Sequence, residues 1–202
     1  MEIKHIVSDI LFPRVCAGCG REGKYICDEC SIFVSETEMI YNLGCLDGLT
    51  SIWEYEGLVK ELIHTIKYHG VTDIIKELIS QVDLDIYYPY ITYVPMHIKK
   101  KKKRGFNQSE LIAEEIGKAS NSKVVPLLKK IIDTEDQVKL NKEERLKNIK
   151  NCFKCVKPSL MQKEILLVDD VFTAGVAMQE CCRVLKQAGV EKVWGFTLAR
   201  TL

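Results

Sequence analysis

Two adjacent carboxylates, Asp169 and Asp170, follow the apolar run Ile165, Leu166, Leu167, Val168 and precede a small-residue turn, Thr173-Ala174-Gly175-Val176-Ala177. Carboxylates accept hydrogen bonds from hydroxyls. The N–H groups of a tight turn, and the positive end of the helix that follows it, attract phosphate. Together these residues suit a phosphate carried on a diol. The same local pattern also arises as ordinary strand-to-helix connection chemistry, in which Asp is a common cap. The stretch by itself leaves both readings open.

A second constellation lies near the start. Cys16, Cys19, Cys27 and Cys30 form two C-x2-C pairs separated by seven residues, with Gly18 and Gly20 relaxing the first turn. Four thiolates that converge on one centre favour a closed, tetrahedral, structural zinc site with no open coordination position. So short a segment has little core of its own. Zinc is therefore expected to supply most of its folding energy, roughly 10–16 kcal/mol in comparable peptides. The chain holds nine cysteines. Cys152 and Cys155 repeat the spacing in an alternating stretch that points them to opposite strand faces or adjacent turns, a weaker redox signal. Cys181 and Cys182 fall on the helix after the acidic turn, where a free cysteine is ordinary core material.

The third feature is a run of six cations, Lys99 through Arg104, ended by Gly105-Phe106-Asn107-Gln108. It is expected to be a loop between a strand ending at Pro95 and a helix starting near Asn107, with Glu110 completing the start signal. Such a run is often only solvated. Mobile lysines beside a phosphate-binding turn would also suit pyrophosphate or a nucleic-acid backbone.

The elements that must position these groups can be read around them. Leu58, Val59, Leu62, Ile63 and Ile66 mark a helix ending at Lys67-Tyr68-His69-Gly70, and a second helix covers about 73–81. Strands are predicted over 50–55, 91–94, 165–168 and 193–198. Ala177, Cys181, Val184, Leu185 and Ala188 mark the helix after the acidic turn. This alternation across residues 90–202 predicts an α/β fold with a mostly parallel sheet, which places the acidic turn at the strand carboxyl ends, where ligands bind. Ile3, Ile6, Val7, Ile10 and Leu11 predict an N-terminal helix stopped by Pro13, and residues 31–48 read as a linker. The division expected is 1–48 for helix, zinc module and linker, and 49–202 for the larger domain.

The 202 residues are 47% hydrophobic and 28% charged with a net charge of +1, which suits a soluble chain and gives no global field for nucleic acid. Residues 1–48 carry four Lys/Arg against eight Asp/Glu, leaving 25 against 20 beyond, so the larger part is mildly basic. No run reaches membrane-spanning length and no signal-peptide plan is present, so the expected compartment is the cytoplasm.

The stretch Ile165-Leu-Leu-Val-Asp-Asp-Val-Phe-Thr-Ala-Gly resembles the ribose-phosphate signature of type I phosphoribosyltransferases, in which two acids precede T-T-G-x-T. Two of the expected threonines are here Ala174 and Ala177. With Cys16/19/27/30, the Arg104-Gly-Phe-Asn-Gln segment and Arg145, Asn148 and Phe153 (matching R-x-x-N-x-x-x-x-F), the ordered set resembles the ComF family of competence-associated proteins over nearly the whole chain. The resemblance implies a type I phosphoribosyltransferase-like core over 91–202 under a cover of residues 49–90. It implies that Asp169 and Asp170 hold ribose hydroxyls and that Thr173, Ala174, Gly175, Val176 and Ala177 hold a 5′-phosphate. Pro95, Met96, His97 and Arg104 would then meet the pyrophosphate of phosphoribosyl pyrophosphate (PRPP), with Mg²⁺. It further implies a role in uptake of single-stranded DNA, with that strand and a DNA-uptake helicase as partners. Whether such a site turns over as a transferase or only binds stays open.

Overall fold

The computed structural model describes residues 13–81, 88–134, 149–156 and 163–202. In chain order the elements are α1 (Asp28–Ser31), β1 (Ile40–Leu43), β2 (Leu46–Glu54), α2 (Gly57–His69), α3 (Asp73–Ser80), β3 (Tyr90–Tyr93), α4 (Ile98–Arg104), α5 (Gln108–Ser120), β4 (Lys123–Val124), β5 (Leu128–Lys130), β6 (Phe153–Cys155), β7 (Glu164–Phe172), α6 (Val176–Gln187) and β8 (Lys192–Arg200). Six strands form one sheet in the order β1-β2-β8-β7-β3-β4. All neighbours are parallel except β1, which runs antiparallel on the edge. β5 and β6 pair separately as an antiparallel ribbon.

Period-two alternation along β7 explains why a continuous apolar run forms its centre. Leu166 and Val168 enter one core with Ile63, Ile66, Ile112 and Phe196. Ile165 and Leu167 enter the other with Leu49, Met178, Cys181 and Leu185. Both faces are covered, as a parallel sheet requires. The first face is roofed by α2, α3 and α5, whose buried residues recur at helical spacing: Val59, Leu62, Ile63 and Ile66 in α2, and Ile112, Ala113 and Ile116 in α5. The second is covered by α6 through Met178, Cys181, Cys182 and Leu185.

This order fixes where a ligand can sit. The chain leaves β3 for α5 on one face and returns to β4 on one side. It leaves β7 for α6 on the opposite face and returns to β8 on the other side. The connections from β3 and β7 therefore diverge and open a crevice at their carboxyl ends, the topological switch point of an open α/β sheet.

Four local expectations change. β7 runs on to Phe172, so Asp169 and Asp170 lie inside the strand rather than past its end. Its pairing with β3 does stop at Val168, whereas pairing with β8 continues to Phe172↔Arg200, so the acids occupy the half of the strand that borders the crevice. The basic run is a helix, α4, not a loop. Segment 31–48, read as linker, contains β1 and the opening of β2. Asn107 occupies the cap position of α5 but caps nothing with its side chain; its Nδ2 donates instead to Val94 O at 3.1 Å, pinning the end of β3. The expected N-terminal helix, Arg145 and Asn148 lie outside the described residues.

Candidate functional site

The crevice brings residues from five elements and their loops to one cavity of about 300 Å³, lined by Asp169, Asp170, Lys67, Arg104, Ser109 and Lys130 among others. Asp169 is set by both flanks of the switch point: Oδ1 accepts the Ser109 hydroxyl at 2.7 Å and the Asp170 N–H at 2.9 Å. Burial and the adjacent Asp170 charge push its carboxyl up to about 7, and the bonds from Ser109 and Asp170 N–H, with Lys67 nearby, only partly offset them. Asp170 is held differently. Its Oδ1 accepts the Val171 N–H at 2.7 Å, and its Oδ2 pairs with Lys67 Nζ at 2.8 Å. Burial opposes the Lys67 charge, but Asp170 outweighs it and holds the ammonium above its ordinary range. The pair thus splits into one carboxyl that titrates near neutrality and one that is ion-paired with Lys67.

A smaller hollow of about 160 Å³ shares Asp169 with the first and is walled by Phe172, Thr173, Ala174, Gly175, Val176 and Ala177. Gly175 caps α6 in the left-handed region at φ 67°, and a Cβ there would lie 2.2 Å from the Phe172 ring, so only glycine forms this turn. The first N–H groups of α6 have no acceptor within the helix. The residues that carry them, Val176, Ala177 and Met178, line the hollow, and backbone donors do not depend on the hydroxyls that threonines at 174 and 177 would have added.

Pro95 and Met96 line the larger cavity, whereas His97 turns away to Asp133, Nδ1 to Oδ1 3.3 Å. Arg104 faces both this cavity and a neighbouring basic cleft of about 620 Å³, with its guanidinium carbon 5.8 Å from the centre of the Tyr68 ring. On α4, Lys99, Lys100, Lys103 and Arg104 share the cleft side with Tyr68 and Phe106. Lys101 points elsewhere and is tied to Glu110, which also accepts the Tyr93 hydroxyl at 2.7 Å. Lys67, Ser109 and Lys130 are site residues that the sequence does not announce. Lys67 reads there only as the end of an amphipathic helix.

The four N-terminal cysteines also meet. Their Sγ atoms all lie within 4.8 Å of one another, and Cys19 and Cys27 Sγ are 3.6 Å apart. A tetrahedral centre with metal–sulfur bonds of about 2.3 Å needs edges of about 3.8 Å, so the donor set fits zinc. Burial disfavours a Cys16 thiolate, yet N–H groups of Cys27, Cys19 and Gly18 overcome it and bring Cys16 down to about 6. A Cβ on Gly18 would stand 2.7 Å from Cys30 Sγ, so the knuckle closes only around glycine. The module is docked on α3: Glu77 Oε1 accepts the N–H groups of Tyr25 at 2.5 Å and Ile26 at 3.2 Å, and Tyr25 OH donates to Asp73 at 2.6 Å. Of the remaining C-x-x-C pair, Cys152 is buried in the core and Cys155 half-buried, with no disulfide between them. Among the described residues no helix is long and apolar enough to cross a membrane.

No family model matches the chain. Curated relatives do. It is 28% identical to Competence protein ComFC of Bacillus subtilis over 199 residues, covering 93% of this chain and 78% of that one. It is 29% identical to Competence protein F of Haemophilus influenzae over 110 residues, 53% of this chain and 48% of that one. DNA utilization protein YhgH of Escherichia coli O6:H1 is 25% identical over 208 residues, 93% and 89% of the two chains. With its clustered N-terminal cysteines and mixed α/β fold, the chain is a distant homologue of the ComF/ComFC competence proteins.

Proposed function

We propose that the switch-point crevice binds a 5′-phosphoribosyl ligand of the PRPP type, in a protein that serves uptake or handling of single-stranded DNA. The observation that carries this reading is the pair of hollows that share Asp169: one lined by the turn and the first residues of α6, the other by acids and cations. The reading takes the mostly parallel sheet as a type I phosphoribosyltransferase-like core, with the acids and the turn at its carboxyl ends. The 5′-phosphate takes the backbone donors of Thr173–Ala177, and the ribose hydroxyls donate to Asp169 and Asp170. Pro95, Met96 and Arg104 border the space for the diphosphate. Mg²⁺ would enter with that diphosphate and neutralise it, and Asp169 and Asp170, which line the same cavity, are the carboxyls that would hold it. Transfer to a nucleobase is the alternative use of the same site.

The reading is tested by comparing ribose 5-phosphate with 2-deoxyribose 5-phosphate in calorimetric titrations. Loss of one hydroxyl that donates to a carboxylate is expected to weaken binding by at least tenfold, since such bonds contribute roughly 1.5–3 kcal/mol. Equal affinities would remove the acids from the ligand.

A second surface supports the nucleic-acid side of the reading. The α4 cleft is lined by Lys99, Lys100, Lys103 and Arg104 together with Tyr68 and Phe106, cations for a backbone beside rings for bases. Replacing Lys99, Lys100 and Lys103 with Ser, and keeping Lys101 for Glu110, should flatten the salt dependence of single-stranded DNA binding. The expected change in slope is about 0.7 for each phosphate that is no longer neutralised, roughly 2 in all. An unchanged slope would make α4 a merely solvated face.

A further inference from the structure

We infer that the crevice and the α4 cleft form one continuous site, in which a PRPP-type ligand and a single strand of DNA oppose each other's binding. The two cavities, of about 300 and 620 Å³, have four lining residues in common: Lys67, Tyr68, Lys100 and Arg104. Beyond these the linings part. Asp169, Asp170 and Ser109 belong to the crevice and not the cleft, whereas Lys99, Lys103 and Phe106 belong to the cleft and not the crevice. Each occupant therefore has contacts of its own, but both draw on the same cations where the cavities meet.

The wall that carries those cations is tied in place. Lys101 of α4 pairs with Glu110 of α5, and at the amino end of α4 His97 Nδ1 stands 3.3 Å from Asp133 Oδ1. At its carboxyl end the Gly105 N–H donates to Lys101 O at 2.8 Å, and Asn107 Nδ2 donates to Val94 O at 3.1 Å. Arg104 is already engaged with the ring that would stack a base, its guanidinium carbon 5.8 Å from the Tyr68 centre. The crevice side holds a further sign of an occupant: Gln108, which lines it, is 2% exposed, and its Nε2 has no partner among the described residues. A buried donor left so is costly until an acceptor arrives. An anionic ligand that engages Lys100 and Arg104 from the crevice leaves the cleft Lys99 and Lys103, and sets negative charge beside them. Two polyanions drawing on one pair of cations weaken each other, and by linkage to the same degree. The ligand then acts as a release signal for the strand.

This inference rests on reading the crevice as a ribose-phosphate site and α4 as a strand-binding face, and the experiment separates the claims. Fluorescein-labelled oligothymidylate is titrated with the full chain and followed by anisotropy, at fixed Mg²⁺ and ionic strength, alone and with PRPP or ribose 5-phosphate at concentrations that calorimetry shows to be saturating. PRPP is expected to weaken strand binding about 10–100-fold, and ribose 5-phosphate, which lacks the diphosphate, less than about threefold. A saturating strand should weaken PRPP binding by the same factor as PRPP weakens the strand. In Asp169→Asn/Asp170→Asn the strand should still bind and PRPP should no longer displace it, whereas simple screening by an added polyanion would persist in that variant. Strand affinity that is unchanged or raised by bound PRPP overturns the inference and leaves the ribose-phosphate reading standing, as does equal displacement by ribose 5-phosphate. No heat of PRPP binding to the parent overturns the reading and the inference together, and a strand that does not bind the parent overturns the inference alone.

Discussion

Cys16→Ser is expected to cost the protein its zinc and a large part of its stability, and chelation of the parent protein should do the same. The cysteine cluster folds around its donors, and the fit to a tetrahedral centre comes from the Cys19–Cys27 spacing of 3.6 Å. Isolated zinc modules draw about 10–16 kcal/mol from the metal. Here part of that is replaced by docking, because Cys16, Ile26, Cys27 and Cys30 share a core with Val59, Leu62 and Leu78. Even a net loss of about 4 kcal/mol would lower the melting temperature by roughly 8–16 °C in a chain of this size. Metal content measured by atomic absorption should fall from one zinc per chain, and the melting temperature should fall with it. The effect should reach the crevice, since the module packs on α2 and α3 and α2 carries Lys67. A variant that keeps both its metal and its melting temperature would show that the four thiols are not a structural centre.

Asp169→Asn and Asp170→Asn should each abolish most binding of a ribose-phosphate ligand, by about a hundredfold or more for the pair, yet move stability in opposite directions. Asp169 has a folded pKa of about 7 against an ordinary 3.8. Below about pH 4 it is protonated in both states and contributes nothing. Between about 4 and 7 the unfolded chain loses its proton first, so stability falls as pH rises, and above 7 the full penalty is present. Asp169→Asn removes that penalty and keeps an acceptor for Ser109, so its melting temperature should exceed the parent's at pH 8 and match it near pH 4. Asp170→Asn instead leaves Lys67 without its partner at 2.8 Å, and should lower stability by about 1–3 kcal/mol after allowance for partial exposure. Ligand affinity of the parent should rise with pH through about 7, as Asp169 becomes the better acceptor. Melting curves for the two single variants at pH 4 and 8 check the signs; a destabilised Asp169→Asn at pH 8 would contradict the environment assigned to it.

What is legible in the sequence is what is local. The acids, the glycine turn and the four cysteines each carry their chemistry within a few residues, and the structure brings each set together. The partners that tune them come from afar: Ser109 reaches Asp169 across 60 positions, and Lys67 and Lys130 arrive from α2 and β5. Nothing in the spacing of a helix end distinguishes a lysine bound for a carboxylate from one bound for water. The basic run departs from its expected loop for a physical reason. Six like charges repel and disfavour a helix start, but they favour its last turn, where the dipole is negative, and Lys101 is anchored by Glu110 of α5. That tertiary tie overrides the local repulsion. β1 is hidden in the sequence because an edge strand with pattern half-buried, exposed, exposed, half-buried shows no alternation.

Calorimetric titration of the zinc-loaded chain with PRPP, with and without Mg²⁺, at pH 8, bears most directly on the crevice. Saturable binding to the parent that is lost in the Asp169→Asn/Asp170→Asn double variant is the predicted result. No heat of binding to the parent, or undiminished binding to the double variant, would contradict a ribose-phosphate site at the carboxyl ends of β3 and β7.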